Sequence, residues 1–105
     1  MIIVGIEHIT NLVMREKRNN PKAGALLEKH IQAWKQQIEI AKWKMPTDVK
    51  AVFRSADPVG DGRIIFNIRG NHYRLVVQFN YPAGIARIRF AGTHVEYDKI
   101  DVKEI

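Results

Sequence analysis

Residues 63–91 read RIIFNIRGNHYRLVVQFNYPAGIARIRFA, and this stretch decides the fold. Apolar and polar residues alternate on both sides of Gly70-Asn71. A period of two marks a strand with one buried face, because successive side chains point to opposite sides of a sheet. Arg63 to Arg69 places Ile64, Phe66 and Ile68 on one side, with Arg63, Asn67 and Arg69 on the other. Glycine at the first central position suits a two-residue type II′ turn at Gly70-Asn71. Tyr73 to Tyr81 then returns, with Tyr73, Leu75, Val77 and Phe79 opposite Arg74, Val76, Gln78 and Asn80. After the Pro82-Ala83-Gly84 turn, Ile85 to Ala91 sets Ala86, Ile88 and Phe90 against Arg87 and Arg89.

The turn lengths predict a register. The first hairpin pairs Ile68 with Tyr73, Asn67 with Arg74 and Phe66 with Leu75; the second pairs Gln78 with Arg87, Val77 with Ile88 and Leu75 with Phe90. In this register the apolar sides of all three strands coincide. The opposite side gathers Arg63, Asn67, Arg69, Arg74, Gln78, Arg87 and Arg89, so five of the six arginines between Arg54 and Arg89 share one face. Crowded like charges on an open sheet repel one another, which makes an anion the natural partner of this face.

Working outward, Ile2 to Val4 reads as a short strand. Glu7 to Arg18 reads as a helix with Ile9, Leu12 and Val13 inward, stopped by Asn19-Asn20-Pro21. A longer helix follows from about Lys22 to Trp43, because Leu27, Ile31, Trp34, Ile38 and Ala41 recur at spacings of four and three. Pro46 breaks it, and Thr47-Asp48 can cap a short turn to Phe53. The order is βααβββ. The expected fold is α+β: an N-terminal strand and two helices on one face of a small, mainly antiparallel sheet, forming one domain over residues 1–105.

Composition narrows the function. With 46% hydrophobic and 27% charged residues the chain is globular, and without cysteine it has no disulfide, thiolate zinc site or cysteine nucleophile. The scattered acids Asp57, Asp61, Glu96, Asp98 and Asp101 do not suggest a metal site, and no cofactor is expected. The N-terminal apolar run is broken by Gly5 and Glu7, so the expectation is a cytoplasmic protein without a membrane segment. The net charge of +6 is unevenly drawn: the helical half is rich in lysine, whereas residues 54–94 carry arginine and no lysine. Lysine suits a solvated face, while the planar guanidinium of arginine fits phosphate and stacks on bases. Gly60-Asp61-Gly62 lacks the remaining residues of a phosphate loop and reads as a turn.

Three segments carry a family resemblance. They are the hairpin Phe66-Asn67-Ile68-Arg69-Gly70-Asn71-His72-Tyr73-Arg74-Leu75, the stretch Gly92-Thr93-His94-Val95-Glu96-Tyr97-Asp98, and Lys50-Ala51-Val52-Phe53. With the element order and the basic face, they resemble the HigB group of toxins in the RelE-like superfamily. The resemblance implies a ribosome-dependent mRNA endonuclease (an mRNA interferase) that inhibits translation and is held inactive by a cognate helix-turn-helix antitoxin of HigA type. Operator DNA would be met only through that antitoxin.

Metal-free RNA cleavage by the 2′-hydroxyl needs a base, a stabiliser of the phosphorane and an acid for the leaving 5′-oxygen. Arg74 matches the arginine that follows the hairpin in RelE-like toxins and is assigned to the scissile phosphate. His94 lies just beyond the third strand, within reach of the face, and imidazole exchanges protons near neutrality. Tyr97 shares its side if residues 94–97 make a helical turn, and would stack on a base, orient the nucleotide or assist proton transfer. Arg69, Arg87 and Arg89 are expected to hold backbone phosphates, and Asn67 and Asn71 to bond sugar or base. Many RelE-like toxins carry lysines where this chain has Ile65 and Asn67, which leaves the general base open. Two other readings use the same face: a non-catalytic RNA- or ribosome-binding domain, and a module for an acidic protein partner.

Overall fold

The structure, a computed structural model, describes residues 1–105. Strand β1 (Ile2–Val4) leads to helices α1 (Glu7–Asn19), α2 (Pro21–Ile40) and α3 (Pro46–Val52). Strands β2 (Asp57–Gly60), β3 (Arg63–Ile68), β4 (Tyr73–Asn80) and β5 (Ile85–Thr93) follow, and α4 (His94–Tyr97) comes last. The sheet order is β1-β5-β4-β3-β2, antiparallel except where β1 runs parallel to β5. The helical stripes (Ile9, Leu12 and Val13; Leu27, Ile31, Trp34 and Ile38) join the inner faces of the strands in one core of 19 buried residues. The chain is thus α+β as expected, with β2, α3 and α4 added to the anticipated order.

Asn20 joins the two long helices almost without a loop. Its backbone N–H donates to Glu16 at the end of α1, its side chain accepts from the N–H of Ala23, and Pro21 opens α2. The two helices then cross closely, because a Cβ on Gly24 would lie 2.5 Å from the Lys17 backbone.

Three departures from expectation matter. First, α2 ends at Ile40 rather than near Trp43. The nitrogen of Met1 donates to the carbonyls of Ile38, Glu39 and Ala41, placing positive charge at the helix C-terminus. Trp43 turns inward and meets Phe53 and Phe79 edge-on, at centroid distances of 6.2 and 5.9 Å. Second, α3 starts at Pro46, and Asp48 accepts from the N–H of Lys44. Third, β2 is an edge strand whose Pro58 and glycine-rich end gave no alternating signal; proline is tolerated at an edge because its outer side needs no donor.

The first hairpin keeps the expected register, from Arg63 opposite Gln78 to Ile68 opposite Tyr73, and Gly70 takes φ +65 at the turn. The second does not. Val77 pairs with Ile88, but Val76 pairs with Phe90 and Leu75 with Ala91, so Arg89 is an extra residue in a β-bulge. Past that bulge every side chain of β5 changes face. Ala91 goes toward the helices, and Phe90, expected inside, joins the basic side. There Ile65, Val76 and Phe90 are cross-strand neighbours, and Tyr97 packs on Phe90 with ring centroids 6.2 Å apart. This second apolar patch explains why Ile65 and Val76 are buried although they face away from the helices.

Candidate functional site

Arg74 stands on the outer face of the central strand, near its hairpin end, between Asn67 on β3 and Gly92 on β5. It is held from two sides. Its Nε donates to Asn67 Oδ1 at 3.2 Å, and its guanidinium lies over the Tyr97 ring, 4.7 Å from the centroid. No carboxylate pairs with it, so the two terminal nitrogens keep their donors for a ligand. A planar guanidinium oriented this way can offer parallel bonds to two phosphate oxygens.

The short helix α4 brings Tyr97 to that arginine and carries His94 at its first position, and three contacts from outside the helix proper set its place. Thr93 and Glu96 form a reciprocal cap: the Thr93 N–H donates to Glu96 at 2.9 Å, and the Glu96 N–H donates to Thr93 at 3.2 Å. Arg15 on α1 donates to both oxygens of Glu96, at 2.8 and 2.6 Å. The His94 N–H donates to the carbonyl of His72 in the hairpin turn, at 3.1 Å. The Arg15 bonds hold the Glu96 carboxyl down at about 2, burial opposing and Thr93 assisting. Beside this clamp, the Tyr73 hydroxyl donates to Glu16 at 2.7 Å, and burial together with that bond pushes Tyr73 up to about 12.

Across α4, His94 Nδ1 lies 3.0 Å from Oδ2 of Asp98, the residue that caps the helix C-terminus. Burial pushes the Tyr97 phenol upward, with Arg74 opposing and the acids Asp57 and Asp98 adding to the rise. Tyr97 is therefore neutral at physiological pH, a proton donor rather than a base. The helical turn on which a shared side of His94 and Tyr97 was conditional is present, since residues 94–97 are α4.

The other arginines divide. Arg87 and Arg89 are exposed on the same face as Arg74. Arg89 donates twice to Gln78 Oε1, at 3.1 and 2.8 Å, and Gln78 donates onward to the carbonyl of Asp61. Arg63 is consumed within the protein: it bonds Asp61 at 2.7 Å and the main-chain oxygen of Ile105 at 3.2 and 2.5 Å. Arg69 leaves the face altogether, contrary to the alternation. Its φ of +54 breaks the strand, it lines a pocket with His30, Trp34 and Gln37 on the α2 side, and its charge reaches the buried Tyr73 phenol. The expected five-arginine face is thus a triangle of Arg74, Arg87 and Arg89. Asn71 is exposed at the tip of the turn, and Asn67 is engaged with Arg74 and the carbonyl of Ser55.

The sequence held no sign of Arg15 and no role for Glu96 or Gln78, and its alternation put Phe90 on the opposite face. Only the Thr93-x-x-Glu96 spacing carried a readable signal, that of a capping box. No three His, Asp or Glu side chains converge as metal ligands, and no helix is long and apolar enough to cross a membrane. An open concavity of about 610 Å³ runs beside Gln78, Asn80 and Arg87 rather than over Arg74. A shallow charged face with one stacked arginine suits a polymer better than an enclosed small molecule.

Comparison with known proteins places these observations in a family. The model of the HigB toxin family, described as the RelE-like toxic component of a toxin-antitoxin system, matches residues 27–100. That span holds the whole sheet except β1, together with all of α4. No curated protein sequence matches the chain.

Proposed function

We propose that this chain, which belongs to the HigB family of RelE-like toxins and is therefore the toxic member of a toxin–antitoxin pair, is an endoribonuclease that cuts message RNA on the ribosome. The observation that carries the reading is Arg74, unpaired with any acid and locked between Asn67 and Tyr97 on a helix that also bears His94. Arg74 binds the scissile phosphate and stabilises the charge that grows on the phosphorane. The His94 imidazole takes the proton of the 2′-hydroxyl as its oxygen attacks phosphorus. The bond from phosphorus to the 5′-oxygen breaks, and the Tyr97 phenol gives that oxygen its proton. The products are a 2′,3′-cyclic phosphate and a 5′-hydroxyl, and proton return from His94 to Tyr97 through water resets the site. Arg87 and Arg89 hold flanking phosphates, and Phe90 offers an apolar surface beside the reacting nucleotide.

An open face of this kind grips RNA weakly by itself, so the ribosome supplies the message in an extended form. The antitoxin partner is proposed to be a helix-turn-helix protein that links the pair to operator DNA. Mapping of RNA ends after induced expression tests the reading. New 5′-hydroxyl ends inside translated frames, absent for Arg74→Ala and His94→Ala at equal abundance, are the expected result. Equal growth arrest by both variants would remove the catalytic assignment.

Phe90 and Tyr97 on the basic side also favour a second reading, a non-catalytic RNA-binding face that stacks bases. It predicts steeply salt-dependent RNA binding and no cut ends.

A further inference from the structure

We infer that Asp98 is a positioning residue: its carboxylate fixes the tautomer and orientation of His94 so that Nε2 faces the substrate as the base. The inference rests on the endonuclease reading above and adds to it the group that prepares the imidazole.

The geometry is specific. An ionised carboxylate only accepts hydrogen bonds, so a nitrogen 3.0 Å from Asp98 Oδ2 pairs with it only when that nitrogen carries the hydrogen and turns it toward the oxygen. That nitrogen is Nδ1, which leaves the lone pair on Nε2. His94 is the only side chain with which Asp98 forms an ion pair; neither Lys99 nor any arginine does. The Asp98 main chain is itself held, with its N–H directed to the carbonyls of His94 and Glu96. Residues four apart meet only if the turn between them is helical. That turn is helical because Thr93 and Glu96 cap it and Arg15 grips Glu96. A chain of contacts thus runs from α1 to the imidazole, ending at a carboxylate whose own side chain is 56% exposed. Such exposure gives the pair little weight in holding the fold together, which argues for orientation as its use. A carboxylate that orients a histidine through one nitrogen while the other exchanges a proton is a recurrent catalytic arrangement.

The test has a readout independent of activity. In the full chain labelled with ¹⁵N at histidine, two-bond spectra above the titration range of imidazole should show His94 with hydrogen on Nδ1. In Asp98→Ala the spectrum should move to the Nε2–H form or to rapid exchange between forms. On ribosomes carrying a message, Asp98→Ala should lower the cleavage rate about 10- to 100-fold, less than His94→Ala does. In a His94→Ala background the same change should cost much less than in the wild type, because the ring through which Asp98 positions the base is gone. An Nε2–H tautomer in the wild-type chain, or an additive loss in the double variant, overturns the inference. Absence of any cleavage by the wild-type chain refutes the endonuclease reading instead; wild-type cleavage with an unchanged tautomer in Asp98→Ala refutes only the role of Asp98.

Discussion

Replacing Arg15 by alanine should weaken the protein in a way that depends on pH. Arg15 donates two hydrogen bonds to Glu96 and holds its carboxyl at about 2, against an ordinary 4.5. In a fully dry site such a depression would correspond to about 3 kcal/mol. Both side chains are 40% exposed, however, and solvent screening reduces the contribution to about 1 kcal/mol. Because the folded carboxyl titrates below the unfolded one, this stabilisation is complete above about 4.5 and is lost as pH falls toward about 2. Near neutral pH, Arg15→Ala should therefore lower Tm by about 4–8 °C. Near pH 2 the gap between wild type and variant should largely close. Thermal unfolding followed by circular dichroism at the two pH values measures both quantities. A gap of the same size in acid as at neutrality would mean that packing of the arginine stem, not the ion pair, ties α1 to α4. No loss at neutral pH would mean that the clamp adds nothing.

Gly24→Ala sets a Cβ against the Lys17 backbone at 2.5 Å and should cost about 1–3 kcal/mol in urea titrations, with an unchanged m-value if α1 simply moves outward. Arg74→Lys keeps the charge but loses the planar stack on Tyr97 and the Nε bond to Asn67, so message cleavage should fall about 100-fold or more while Tm stays within a few degrees. Tyr97→Phe keeps the ring beneath Arg74 and removes only the hydroxyl. A loss of about 100-fold in the cleavage rate would fit proton donation, and full activity would reduce Tyr97 to a platform. Trp43→Ala should destabilise by about 3–5 kcal/mol in the same urea assay, since the ring packs against Phe53 and Phe79.

Much of this architecture was legible along the chain. The 3.6-residue stripe from Leu27 to Ile38 and the two-residue alternation around Gly70-Asn71 are local patterns, and burial of one face of each element follows from them directly. They were enough to predict the helices, the β3–β4 register and Arg74 on the outer face. The family resemblance then drew attention to His94 and Tyr97, and the folded chain does bring Tyr97 onto Arg74.

What remained hidden depended on groups distant in sequence. One extra residue at Arg89 leaves no mark in the alternation until a partner strand exists to count against, yet it turned Phe90 from core to surface. Arg69 obeyed the alternation on paper but left the face, because the turn took it to φ +54 before the strand pairing began. Arg15 and Glu96 lie 81 residues apart, each on what reads as a solvated face, and only the docking of α1 beside α4 makes them partners. The sequence by itself thus determined the helices, the β3–β4 hairpin and a basic surface, since hydrophobic period acts over a few neighbouring residues. Tertiary structure alone decided which arginines stay free for a ligand, because pairing and desolvation depend on what the fold brings alongside.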